Sequence, residues 1–242
     1  MRRREYFIFA VVFATALVLL LPMRLALGWM RLDALGLGVR ATGGSVWRGR
    51  LEGASLGGMP LGNLSAGLAL PPLLVGHARI NLHRDGFDGA LGFTRRGAGI
   101  DDMTGEIPVA GLLAPLPIAA LALSDASVWF EDGRCTRAEG RITAILRGDI
   151  AGMALPGGMS GALRCEGGAL LLPLASRSGL ERFTLSIDAR GRYRGRIAIR
   201  PTIGGLDTAL RGFGFRAVGA DYRLTIDGRL ASWPRRGQSP PK

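Results

Sequence analysis

Two cysteines, two histidines and a few paired carboxylates are the residues of this 242-residue chain whose types could do chemistry. Cys135 and Cys165 each sit beside turn residues, in "EDGRC" and "RCEGG", as strand-end cysteines often do. In an oxidising compartment a bridge between them would close a loop of about thirty residues, worth roughly 3–4 kcal/mol on the chain-entropy model. The alternative is two free, buried small residues; a pair of cysteines in an exported chain favours the disulfide. A metal centre needs more ligands than His77 and His83, which lie near neither cysteine in sequence. Asp101-Asp102 and Glu131-Asp132 are adjacent pairs that read as turn residues. On a strand, neighbours point to opposite faces, the wrong arrangement for a shared acid/base site. Ser160, in "GGMSGAL", lacks the spacing of a nucleophile elbow and has no nearby histidine as base. Gly43-Gly44 are followed by Ser-Val-Trp, so no phosphate loop is present. No catalytic residue, cofactor-binding residue or metal ligand is assigned, and the chain reads as a non-enzyme without cofactors.

The segment that must place the body in a compartment is the N-terminus. Arg2, Arg3 and Arg4 precede an uncharged run from Tyr6 to Met23, "YFIFAVVFATALVLLLPM". As one helix this run would span about 27 Å, close to the hydrocarbon thickness of a bilayer. Positive residues stay on the cytoplasmic side, which predicts an inner-membrane, single-pass protein with its N-terminus in the cytoplasm and its body in the periplasm. Residues 1–28 are then the Arg-rich tip and transmembrane anchor. The competing reading is a signal peptide cleaved at Ala26 to Gly28. The run exceeds the usual ~7–15-residue signal core, and Arg24 suits an interfacial residue able to snorkel, which favours an uncleaved anchor. Either way the body is exported.

From Trp29 onward apolar residues recur mostly with period two. "HARINLHR" puts Ala78, Ile80 and Leu82 on one face, and "FTLSID" does the same for Phe183, Leu185 and Ile187. "YRGRIAIR" and "DYRLTIDGRL" behave likewise, with arginine on the opposite face. Asp85-Gly86, Asp132-Gly133 and Asp227-Gly228 read as turns at strand ends. The expected fold is mainly β: a curved antiparallel sheet with one wet side over residues 29–231, and a disordered, proline-rich tail over 232–242. Short helices are expected at Pro71 to His77, Pro108 to Ile118 and Gly204 to Gly214. The last two follow a similar Gly-x-Ile strand, in "DDMTGEIPVAGLLAPL" and "RYRGRIAIRPTIGGLDTAL", a weak internal repeat of sheet plus helix.

The formal charge is +12, carried almost wholly by arginine, since Lys242 is the single lysine. The arginines are spread singly, without an interleaved aromatic stacking platform. Net charge alone does not support nucleic-acid binding.

One glycine-rich element remains, "ATGGSVWRGR" at Ala41 to Arg50. Gly43-Gly44 permit a tight turn, Val46-Trp47 is strand material, and Gly49 permits close backbone approach. In that context Trp47 reads as a core or sheet-capping aromatic rather than a ligand platform. The order of parts resembles the type II secretion system protein N (GspN) family. That family's Gly-x-x-Trp-x-Gly element is matched by Gly44, Trp47 and Gly49, and its next segment by Met59-Pro60-Leu61-Gly62, with Pro60 and Gly62 as the marked positions. Pro72-Leu73-Leu74-Val75-Gly76, Ala138 to Ile142 and the closing "ALRGFGFRAVGADYRLTIDGRL" are similar to later family segments. The family's tryptophan near its second-half strand is not found after Gly140; Trp129 lies upstream instead.

The resemblance implies a non-catalytic accessory inner-membrane component of the machine that exports folded proteins from the periplasm across the outer membrane. Its implied partners are other secretion-system components in the inner membrane or periplasm, besides the membrane itself. The alternative expectation is a tethered periplasmic β-groove that binds or transfers lipid, for which the curved one-faced sheet and the repeat are the sequence support.

Overall fold

The computed structural model describes residues 2–25, 37–56, 59–109, 118–146, 158–201 and 206–230. Helix α1 (Arg2–Leu19) opens the chain. Strands β1 (Leu37–Gly38), β2 (Ala41–Ser45), β3 (Arg48–Leu56) and β4 (Met59–Leu68) follow, then the short helix α2 (Leu70–Leu74). Next come β5 (Ala78–Arg84), β6 (Phe87–Phe93), β7 (Gly97–Pro108), β8 (Ile118–Glu131) and β9 (Arg134–Leu146). After these the chain forms β10 (Met159–Ala162), β11 (Arg164–Glu166), β12 (Ala169–Ala175), β13 (Glu181–Ile187) and β14 (Arg192–Ile199). Helix α3 (Leu206–Gly212), β15 (Arg216–Val218) and β16 (Asp221–Arg229) complete it.

Among the described residues, 16 strands form one antiparallel sheet, almost all of it a meander in which each strand pairs with its successor. The period-two reading holds in detail. Ile80 and Leu82 of β5, Phe183 and Leu185 of β13, and Tyr193, Ile197 and Ile199 of β14 are buried, while the residues between them face outward. The helices expected at Pro71 to His77 and Gly204 to Gly214 appear as α2 and α3. Leu210 of α3 is fully buried, as is Ile199 at the end of β14. Of the helix expected at Pro108 to Ile118, Pro108 instead closes β7 and Ile118 opens β8. Its middle, the cleavage stretch Ala26 to Gly28 and the tail 232–242 lie outside the described residues.

Two turn assignments are corrected. Asp101-Asp102 lie inside β7, and Asp227-Gly228 lie inside β16, opposite Arg194 and Tyr193. Gly228 is small because the Tyr193 ring lies where a β-carbon would go, and Asp227 pairs with Arg194 at 2.6 Å. Asp85-Gly86 and Asp132-Gly133 are turns as expected.

A sheet with one apolar face and few covering helices has to bend to bury that face. A row of bulges does this across neighbouring strands: at Gly89 in β6, Asp102 in β7, Asp125 in β8 and Gly140 in β9. Asp102 and Asp125 have φ near +49°, and Gly140 has φ +92°, where a β-carbon would fall on the Asp125 backbone. Extra residues in a strand bend it and raise its twist. The β5–β6 hairpin is short, so β4 and β7 close around its tip. There Arg84 donates to the Leu61 carbonyl at 2.7 Å and the Glu106 carbonyl at 3.3 Å, with its guanidinium 5.3 Å from the Phe87 ring centre.

The sheet has one weak seam. β10 pairs with β9 over four residues, Met159 to Ala162, and with β12 at the single register Ser160–Ala175. A β-carbon on Gly161 would collide with the Pro173 carbonyl, so only glycine fits between these strands. Beyond β10, isolated bonds link the two sides, from Leu163 N–H to the Gly140 carbonyl at 3.0 Å and from Cys135 N–H to the Gly168 carbonyl at 2.8 Å. The Cys135–Cys165 disulfide closes this gap, tying β9 to β11. The two cysteines expected to pair do so. Replacing both with serine should cost about 3–4 kcal/mol. The check is the urea unfolding midpoint, and reduction of the unaltered protein should reproduce the drop.

Candidate functional site

Two places bring together residues of more than structural interest. The first is a buried carboxylate. The bulge in β7 turns Asp101 inward until it is only 8% exposed. Arg79 of β5 reaches Asp101 at 3.1 Å, and the Trp129 indole N–H of β8 donates to it at 2.7 Å. Arg137 of β9 forms a second ion pair with it, the guanidinium lying over the Trp129 ring at 6.0 Å. One carboxylate thus clamps four strands. Asp102 stays exposed; its N–H donates to the Ser127 hydroxyl at 2.9 Å, and Asp125 N–H donates to the Thr104 hydroxyl at 3.0 Å. Side chains here supply the partners that bulged backbone groups lose from the ladder. Three donors occupy Asp101, and a substrate would have to displace ion pairs to reach it. The arrangement holds strands rather than performs acid/base work. No sequence reading singled out this cluster. Its signal was the double aspartate that breaks the alternation of an otherwise regular strand.

The other chemistry-bearing residues stay apart. Asp132 sits at the β8–β9 turn with Arg96 as its ion-pair partner, and Asp132 followed by Glu131 raises the Arg96 pKa. His83 on β5 pairs with Asp88, whose hydrogen bond and then charge raise the imidazole pKa. His77 is exposed after α2, and Ser160 lies in β10 opposite Thr143. Among the described residues no group of three or more histidine, cysteine or acidic side chains is placed to hold a metal ion.

The second place is the joint between α1 and the sheet, built around the Gly-x-x-Trp-x-Gly element. α1 stops at Leu19, short of the Tyr6 to Met23 run read as one helix, because the residues after it are used otherwise. Pro22, which cannot continue a helix interior, bridges to Ser45. Leu21 accepts from the Val46 N–H at 2.9 Å, and the Val46 carbonyl accepts from the Leu68 N–H at 2.9 Å. The end of α1, the Val46-Trp47 turn of the β2–β3 hairpin and the end of β4 therefore lie side by side. Met23 is 4% exposed, and its sulfur would lie 3.0 Å from a β-carbon on Gly49. Gly44, at φ +81°, faces the Arg48 carbonyl, and a β-carbon on Gly67 would come within 2.5 Å of the Trp47 carbonyl. The glycines of the motif are thus the clearances of a joint, and Trp47 packs half-buried against the core.

The remaining family-motif positions belong to the Arg84 clasp. Pro60 is exposed opposite Ser55, and Gly62 has φ +75° at the bulge where the Arg84 guanidinium tucks in, 3.6 Å from its would-be β-carbon. Arg2, Arg3 and Arg4 form the first turn of α1, with Arg3 and Arg4 exposed; Arg24 is exposed beside the joint. Tyr6 to Phe13 expose their apolar side chains all round, so this part of the helix packs on nothing among the described residues. Among the described residues, no helix is long and apolar enough to cross a membrane.

Compared with known families, residues 35–225 match the family model described as type II secretion system (T2SS), protein N. No curated protein and no solved structure gives a significant match.

Removing Asp101 leaves Arg137 without its ion-pair partner and Arg79 with only the exposed Asp102 at 3.5 Å. Asp101→Ala should destabilise the body by roughly 3 kcal/mol, whereas Asp132→Ala, which breaks an exposed pair, should cost far less. Denaturant titration of the two variants side by side is the check. At the joint, Gly67→Ala should push the Trp47 turn aside at a cost of about 1–3 kcal/mol. Hydrogen exchange at the Val46 amide, now bonded to Leu21, should accelerate with it.

Proposed function

This chain belongs to the type II secretion system protein N family, and from that premise we propose that it serves as a non-catalytic, inner-membrane accessory of that machine, its β body standing in the periplasm. The family match over residues 35–225 carries this reading. The body's construction agrees with it. Its charged and glycine-rich features resolve into a bend, a seam and a joint, which are features of a scaffold.

The membrane placement rests on α1. Its exposed, all-round apolar surface needs a nonpolar surrounding, and the arginines at its start suit the cytoplasmic headgroups. Tyr6–Leu19 spans about 21 Å against a hydrocarbon core of ~30 Å, so a crossing relies on the arginine stems reaching outward and on local thinning. The disulfide supports a body outside the reducing cytoplasm.

Contact with other secretion components would use the outward faces and the sheet edges. Among the described residues β15 is an edge strand of three exposed residues, paired on one side only with β16. Such an edge can accept a strand from a partner. The lipid-carrier alternative draws no comparable support, because the sheet's apolar face is already buried against its own residues.

A reporter enzyme active only in the periplasm, fused after the last residue, should be active in cells; activity confined to a cytosolic reporter would sink the proposed topology. A photo-crosslinking residue at Ala217 in β15 should capture a secretion-system protein in intact cells. One at Ala126, fully buried, should capture none.

A further inference from the structure

α2 is the apolar feature of the body that the scaffold reading leaves unused. From Leu70 to Gly76 the chain reads "LPPLLVG", without a polar side chain. Leu70 is 50% exposed, Leu74 88% and Val75 71%. The helix follows from its prolines, which pre-set the first turn after the extended Ala69, and it ends at Gly76 with φ +79°. Its last amides are satisfied within the turn: Val75 and His77 donate to the Pro72 carbonyl at 3.2 and 2.9 Å, and Gly76 donates to the Leu73 carbonyl at 3.1 Å. A bilayer surface demands this of any backbone that enters it.

The position of α2 says which surface it meets. α2 starts two residues beyond Leu68, and Leu68, Val46 and Leu21 are bonded in a row. Two ladder steps of ~4.8 Å put Leu68, two residues before α2, about 10 Å from Leu21, two residues past α1. The same end of the sheet carries the β6–β7 turn. Arg24, Arg48 and Arg95 are exposed there, and none forms an ion pair with a described residue. At that end Asp132 is ion-paired with Arg96. An apolar tip ringed by cations is the pattern of an interfacial anchor on an anionic lipid surface.

We propose that α2 is a second membrane contact, with Leu70, Leu74 and Val75 dipping into the outward-facing leaflet of the bilayer that α1 enters, so that the sheet stands end-on with the joint at the membrane. This rests on the reading of α1 as the membrane helix, and the test separates the two. Cys135 and Cys165 are joined, so single cysteines introduced as Leu74→Cys, Gly86→Cys or Phe9→Cys can be labelled selectively with an environment-sensitive fluorophore. Gly86 lies in the β5–β6 turn at the opposite end of the sheet. The full chain is placed in vesicles of phosphatidylethanolamine and phosphatidylglycerol with and without quencher-bearing acyl chains.

The label at position 74 should be quenched at least ~2-fold, as expected for a side chain ~5–10 Å below the surface, and the label at 86 should not. Position 9 quenched with 74 unquenched overturns the α2 contact and keeps the α1 reading. Position 74 quenched with 9 unquenched keeps the contact and removes α1 from the membrane. Equal quenching at 74 and 86 overturns the end-on placement. Leu74 is exposed, so the substitution leaves the packed core untouched, and a Val75→Cys label should repeat its result.

Discussion

The structure depends on bending a wide one-faced sheet so that its apolar residues gather into one buried core cluster. Burial of apolar surface supplies the driving force, but regular ladders resist the curvature needed. The row from Gly89 through Asp102 and Asp125 to Gly140 resolves this by giving up regular pairing along one line. The line costs backbone hydrogen bonds, and the side chains of Ser127 and Thr104 restore them. Asp101 then crosses the bend with bonds to Arg79, Trp129 and Arg137, fixing the angle that the bulges only permit. Further along, Arg84 performs the same service for β4 and β7 through their carbonyls. Both devices use arginine because its fork can reach several acceptors from one stem. The many arginines of the chain thus have partial employment inside the fold, which weakens net charge as a guide to partners.

Much of this fold was legible in the alternation. Wherever a strand is half-buried and unbulged, as in β5, β13, β14 and β16, the period-two pattern marks its inner face correctly. Legibility failed where a residue's role lies across the sheet instead of along the strand. Asp101-Asp102 and Asp227-Gly228 have turn composition, yet each is held inside a strand by a partner from a neighbour: Ser127 and Arg79 in one case, Arg194 and Tyr193 in the other. Composition carries no record of a cross-strand partner. The N-terminal run failed for a related reason. Hydropathy counts Leu21 and Met23 with the helix, while the structure gives them to the joint, because Pro22 ends helical pairing and Val46 offers an N–H. The disulfide was readable because pairing of two cysteines leaves no choice of connectivity.

The glycines of the Gly-x-x-Trp-x-Gly element and the neighbouring Gly67 find their explanation in clearance. At Gly44, Gly49 and Gly67 the empty β-carbon position is taken by Arg48, Met23 and Trp47, respectively. A phosphate loop would instead leave its amides turned outward and unpaired. Here the Val46 amide is bonded to Leu21 and the Leu68 amide to Val46, so these donors are engaged within the fold. The same residue type therefore serves opposite ends, and the backbone bonds decide between them.

That distinction bears on how α1 is coupled to the sheet. A body tied to a helix by a floppy linker reports nothing of the helix's position to its far strands. In this chain the residues just after α1 are bonded into the sheet within three positions of the helix end, through Pro22 and Leu21. A rotation or tilt of α1 must then turn the β2–β3 hairpin with it, or break those bonds. From there the load passes along a meander of neighbour-to-neighbour ladders until it meets β10, where pairing is thinnest. A covalent bond between Cys135 and Cys165 at that point keeps the two sides of the sheet moving as one. The joint and the disulfide thus answer the same mechanical demand at two places, one at the α1 end and one where hydrogen bonding alone is least able to carry it.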